Sequence, residues 1–212
     1  MSASLILADT RRHLLPSNVL VSMREVLAHD LPAAFNQDLA DSLNNLYVCL
    51  SNLGRNEEAL VAIQRAVSMY EVLAHDRPAA FNRDLALSLN NLFICLSDLD
   101  QHGEALVAIQ RAVSMREILA KDRPAALNQS LAESLYNLSY QYSELDRHED
   151  ALEPAERSLA LYRELVKIRP LVFAKDIIDG LGRVSQCLAA LGRDDEAEEA
   201  SKEADELEAQ AP

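Results

Sequence analysis

The sequence has no tryptophan, only five glycines, and aromatic residues at 5%. A β-sandwich or barrel needs turn residues and aromatic or β-branched strands, so this composition argues for helices instead. No apolar run approaches the roughly 20 residues that a membrane span requires. The opening stretch, MSASLILADTRRHLLPSN, holds one short apolar cluster, and Arg11 and Arg12 follow it instead of preceding it. That order does not fit a secretory signal, so the expected location is cytoplasmic. Basic charge is also scarce: 20 Lys and Arg stand against 34 Asp and Glu, a net −14. Phosphate recognition needs a basic footprint, which argues against nucleic acid and anionic membrane surfaces as partners. A basic or neutral protein partner is expected. The three cysteines, Cys49, Cys95 and Cys187, form no C-x-x-C and read as buried thiols in a reducing compartment.

Catalytic signatures are missing as well. The histidines are His13, His29, His75, His102 and His148. HEDA at 148–151 lacks the second His of a zinc-protease motif, and no Cys–His set has metal spacing. Gly180 and Gly182 form GLG within a helical pattern, not after a strand, and no phosphate-binding P-loop occurs. The expectation is no catalytic residue, no metal and no cofactor.

What the chain does have is a period. Met23, Met69 and Met115 step by 46 residues, as do Pro32, Pro78, Pro124 and Pro170, and Leu43, Leu89, Leu135 and Leu181. Between 23–68 and 69–114, 35 of 46 residues are identical. Each repeat reads as two helices. Leu39, Leu43, Leu46, Leu50 and Leu53 line one helical face, and Gly54 marks a turn. A second helix is expected from Asn56 as its N-cap, with Glu57 and Glu58 in its first turn, ending before Pro78. Residues 77–82 are expected to be a connector, with Asn82 capping the next helix. A lone helix pair cannot bury its apolar face, but stacked pairs can. The expected organisation is an N-terminal segment at 1–22, where a partial repeat helix begins near Ser17, and one array over 23–208. An acidic capping helix at 194–210 closes the array, giving about nine helices. Residues 1–15 carry no assignment.

These residues resemble the tetratricopeptide repeat family. Ala59, Ala105, Ala151 and Ala197 open the second helices, Leu43, Leu46 and Leu50 precede them, and Ala66, Ala112, Ser158 and Ala204 follow at small-residue positions. The long unit, with LNNL and A-L-x-x-x-x-R-A-V, is most similar to the kinesin-light-chain-type subgroup. It departs from the family in carrying Glu71 where proline is common. The resemblance implies an all-α, right-handed superhelical solenoid of antiparallel helix pairs. Its first helices would line a concave groove that binds a protein or peptide segment. Carried over by column, the groove residues would be Asp41, Asn44, Asn45, Val48 and Asn52, then Leu87, Asn90, Asn91, Ile94 and Asp98. Glu133, Tyr136, Asn137, Tyr140 and Glu144 follow, with Arg183 from the last repeat. The basic residues of the family's chaperone-tail clamp are missing, since Asn44, Glu133 and Asn137 occupy those columns. Asn45, Asn91 and Asn137 would stand one repeat apart, either pairing with a ligand backbone or bonding to neighbouring helices. The resemblance also leaves open a spacer scaffold that self-associates end to end, or the sensor arm of a larger STAND- or CHAT-type signalling protein.

Overall fold

The computed structural model describes the backbone of residues 3–122 and 124–210, and their side chains except at 3–16, 33, 122, 124–126, 171 and 210. Nine helices make up the described residues: α1 (Ala3–Asp30), α2 (Pro32–Ser51), α3 (Asn56–Asp76), α4 (Pro78–Ser97), α5 (His102–Asp122), α6 (Pro124–Glu144), α7 (His148–Ile168), α8 (Pro170–Ala190) and α9 (Asp194–Gln210). The chain divides into two compact halves, residues 1–108 and 109–212. In the first half α1 packs on α2, α2 on α3 and α3 on α4. In the second, α6 packs on α7, α7 on α8 and α8 on α9, and α6 also touches α8.

The leucine columns form the cores. Leu43, Leu89 and Leu135 are fully buried, and Leu181 nearly so. The first half gathers Leu39, Leu43, Leu46 and Leu50 with Ala59, Ile63 and Ala66 of α3 and with Val21 and Ala28 of α1. The second gathers Leu159, Leu165, Phe173, Ile177, Leu181 and Leu188. Pro154 lies inside α7 and is buried, so the helix runs on past a residue that ordinarily breaks one.

The turn at Gly54 is a Schellman motif. The Gly54 N–H donates to the Ser51 carbonyl at 2.9 Å, and the Arg55 N–H to the Leu50 carbonyl at 3.0 Å. The same pair of bonds recurs after α4, α6 and α8. The motif needs a left-handed residue, and Gly54 (φ 69°), Asp100 (φ 57°), Asp146 (φ 55°) and Gly192 (φ 71°) supply it. Glycine takes this conformation freely, and aspartate tolerates it better than most side chains.

Three expectations about helix starts are corrected. The connector 77–82 does not exist: α4 begins at Pro78, and Asn82 lies within it. The break between α3 and α4 is Arg77 alone, extended at φ −138°. Leu31 and Arg169 are equivalent, at φ −136° and −140°. Proline bars its predecessor from the helical region, yet it is well suited to be the first helical residue itself. At the other turn, Asn56 is the first residue of α3, and Arg55 holds the cap position without a side-chain cap. Arg55 instead forms an ion pair with Glu58, as Arg193 does with Glu196. At the N-terminus, α1 starts at Ala3, well before the helix start expected near Ser17.

Second helices are also linked by charge. Arg65 of α3 pairs with Glu25 of α1 at 2.5 Å, and Arg157 of α7 pairs with Glu117 of α5. In the last rung the signs are exchanged: Arg163 of α7 pairs with Glu203 of α9 at 2.7 Å. In α9, Ala197 and Ala204 are buried. Ser201, Asp205 and Glu208, in the columns of Ile63, Val67 and Tyr70, are exposed.

Candidate protein-interaction face

Each first helix has a second face, opposite its leucines. Residues 41, 45, 48 and 52 fall about 140–200° around the helix from Leu43 at the standard 100° per residue. Asp41, Asn45 and Val48 of α2 and Asn52 at its C-cap are exposed, and Asn44 is half-buried. Leu87 and Ile94 of α4 and Asp98 at its C-cap are exposed, with Asn90 and Asn91 half-buried. In α6, Glu133, Tyr140 and Glu144 are exposed, with Tyr136 and Asn137 half-buried. Val48, Ile94 and Tyr140 stand in the same column of three successive repeats and are 47%, 37% and 43% exposed. The second helices carry a comparable column in Val26, Val72 and Ile118, which are 63%, 62% and 62% exposed.

The paired asparagines divide their work. Asn44 Nδ2 donates to Ser88 Oγ at 2.9 Å, tying α2 to α4, while Ser88 Oγ donates to the Asp84 carbonyl at 2.9 Å. Neighbouring helical residues point about 100° apart, so when Asn44 turns to α4, Asn45 faces away from it. Asn90 and Asn137 also have partners.

Arg183 differs from the other fifteen candidates: it is 6% exposed. Its Nε donates to Ser139 Oγ at 2.9 Å, and one terminal nitrogen donates to the Ser139 carbonyl at 2.7 Å and to Ser143 Oγ. The other reaches Gln186 Oε1 at 3.3 Å. The guanidinium lies 5.8 Å from the centre of the Tyr140 ring, within cation–π range. Arg183 thus joins α8 to α6 from beneath the face.

A column missed in the sequence reading alternates Arg24, Tyr70, Arg116 and Tyr162. Arg24 of α1 donates to the Asp38 carbonyl at 2.7 Å and to Ser42 Oγ in α2. Arg116 of α5 does the same in α6, to the Ser130 carbonyl at 2.6 Å and to Ser134 Oγ. Tyr70 instead donates to Asp41 Oδ1, and its ring lies 6.5 Å from that of Phe81. Tyr162 lies 6.3 Å from Phe173. The alternation itself, at a fixed 46-residue step beside Ser42, Ser88 and Ser134, with Gly180 at the fourth place, was the available signal.

These tyrosines sit among carboxylates. Burial, then the bond and the charge of Asp41, push the Tyr70 hydroxyl well above its ordinary range. Burial, then Asp176 and Glu133, do the same to Tyr162. Burial raises Asp84, helped by the charge of Asp41, and burial with Asp179 raises Asp176. A raised carboxyl binds its proton more tightly folded than unfolded, so its cost is present above the folded pKa and disappears as pH falls below the unfolded one. Asp84→Asn is therefore expected to raise the melting temperature near pH 7, with the gain shrinking toward about pH 4. A melting series of both proteins across that range checks it.

Burial, and then Asp98, push the Cys95 thiol up to about 11, the reverse of an activated nucleophile. Among the described residues, no three His, Cys, Asp or Glu side chains are placed to hold a metal ion, and no helix is long and apolar enough to cross a membrane.

Comparison with known proteins places this arrangement. Residues 131–169, essentially α6 and α7, match the Tetratricopeptide repeat family. No curated protein matches the chain. Among solved structures, a putative kinesin light chain of Podosopora anserina with nearly identical TPR-like repeats is 16% identical, with a TM-score of 0.65. The match covers 98% of this chain and 95% of that one. MamA is 19% identical at a TM-score of 0.60, over 95% and 94% of the two chains. BtubC (BKLC) from P. vanneervenii is 19% identical at 0.53, over 95% and 91%. At such identities the likeness is one of fold: an all-helical, TPR-like solenoid.

Proposed function

We propose that this all-helical, TPR-like repeat array is a non-catalytic protein-interaction module whose first-helix face receives a segment of a partner protein. The observation that carries this reading is the recurrence of Val48, Ile94 and Tyr140, large apolar side chains held in water at one column of three repeats. Apolar and aromatic groups of this kind anchor interfaces. Asp41 and Asp98 share that face in the first half, and Glu133 and Glu144 share it in the second, so the partner segment is basic or neutral. The exposed amide of Asn45 can meet a partner backbone as donor and acceptor without reading its sequence.

A pulldown from cell lysate with the wild-type chain and the Ile94→Ala/Tyr140→Ala variant tests the proposal. A partner held by the wild type, weakened by salt and lost with the variant at unchanged melting temperature is the expected result. Equal capture by both would move binding off this face.

A further inference from the structure

The same cleft occurs in both halves of the chain. Between α1 and α3, over α2, it measures about 370 Å³. Between α7 and α9, over α8, it measures about 430 Å³. Second helices form its walls, and its floor is the apolar face of the first helix. That floor is Leu43, Leu46 and Leu50 in one half, and Leu181, Val184 and Leu188 in the other. The cleft therefore opens on the side of the first helix opposite Asn45 and Val48. Both volumes fall within the range of ligand sites.

Matched columns build the two clefts, so the fold makes the cavity and the rim sets its chemistry. The first rim is balanced, with Arg55 and Arg65 against Glu57 and Glu58. The last carries Glu156, Glu164, Glu196, Glu199 and Glu203 against Arg163. Two of these carboxylates stand where the first half is uncharged: Glu156 in the column of Asn18 and Gln64, and Glu199 in that of Val61 and Val107. Glu203 is bonded to Arg163, and Glu164 to Lys167. Arg193 is near enough to Glu156 to feel its charge, but its guanidinium is bonded to Glu196. Among the described residues no cation bonds Glu156 or Glu199. They stand on opposite walls, and the packing does not require them, since uncharged residues build the same cleft in the first half.

We infer that the cleft between α7 and α9 receives an arginine or lysine side chain from a basic segment of a partner protein. Its leucine floor covers the aliphatic stem, and Glu156 and Glu199 meet the charged head. A neutral apolar side chain would draw both carboxylates out of water with no cation between them. A bare metal ion would gain nothing from the leucines. The cleft is open along the gap between α7 and α9, so it suits a side chain reaching in from a larger partner better than a small ligand, which needs enclosure. The net charge of −14 favours approach by a basic partner. This site lies on the opposite side of the first helix from the face proposed above, and each reading can fail without the other.

Fluorescence anisotropy of a labelled peptide alternating arginine and leucine, titrated with the full chain, tests it. Glu156→Gln/Glu199→Val restores residue types found at these columns in the first half. It should weaken binding about tenfold or more, with a melting temperature no lower than the wild type's. Ala160→Tyr fills the cleft from an exposed position without touching a charge, and it should weaken binding as much. Asp205→Asn/Glu208→Gln removes the same charge from exposed positions of α9 outside the cleft, and it should leave binding nearly unchanged. Ile94→Ala/Tyr140→Ala, which disables the first-helix face, should bind the peptide as the wild type does. Absence of saturable binding up to millimolar peptide overturns the inference. So does equal weakening by Asp205→Asn/Glu208→Gln, full binding by Ala160→Tyr, or loss with Ile94→Ala/Tyr140→Ala. Spermine bound where the peptide is not would make the cleft a small-polyamine site and overturn it too.

Discussion

Replacing Leu43 with alanine should cost about 3 kcal/mol and unfold residues 1–108 ahead of residues 109–212. Leu43 is fully buried and sits in a cluster with Leu39, Leu46, Ile63 and Ala66. Its side chain is held between helices whose backbones are already fixed by their own hydrogen bonds, so the vacated volume cannot collapse fully. Each half has its own core, and stability in repeat proteins adds up from neighbours. The loss therefore stays local and splits one transition into two. Tryptophan is absent, so circular dichroism in urea gives the midpoints, and hydrogen exchange read by mass spectrometry assigns them. A single unshifted transition would show that Leu43 is not a keystone of the first half.

Arg183 should give the next largest effect, and the choice of replacement separates two causes. Arg183→Ala removes every bond to Ser139 and Ser143 and opens a cavity between α8 and α6, a loss of about 2–3 kcal/mol. Arg183→Met keeps most of the volume and discards the charge. The bonds made by this guanidinium go to neutral groups, so it gains little Coulomb energy in return for leaving water. Methionine is thus expected to recover at least half of the alanine loss in urea denaturation. Equal losses for both variants would mean that the hydrogen bonds, not the packing, hold α8 to α6.

Both sites bear on how much of the molecule could be read in advance. The leucine columns, the left-handed turn at Gly54 and the helix pairing were legible, because 3.6-residue periodicity and a fixed 46-residue step leave few alternatives. Proline was the poorer guide. One residue type opens α4 at Pro78 and lies buried inside α7 at Pro154, and only packing distinguishes them. Asn44 and Asn45 could not be told apart from composition, since the neighbouring helix decides which amide it engages. Arg183 carried the strongest charge of its column yet went inside, because Ser139 of α6 supplies an acceptor where the other repeats have Tyr47 and Phe93, beside Ser143, whose column they share as Ser51 and Ser97.

The reversed rung between Arg163 and Glu203 has a consequence for how the chain finds its own order. Successive repeats that agree at 35 of 46 positions invite a slip during folding, in which a helix docks one repeat away from its place. The leucine columns of the first helices offer no protection, since they match equally well after a shift. The rungs do, because Glu203 docked one repeat too early would face Glu117 instead of Arg163. Each exposed rung is worth only a few tenths of a kcal/mol, but a like-charge pair replaces an attraction with a repulsion and counts twice. The final helix thus carries an address that the repeats before it do not share.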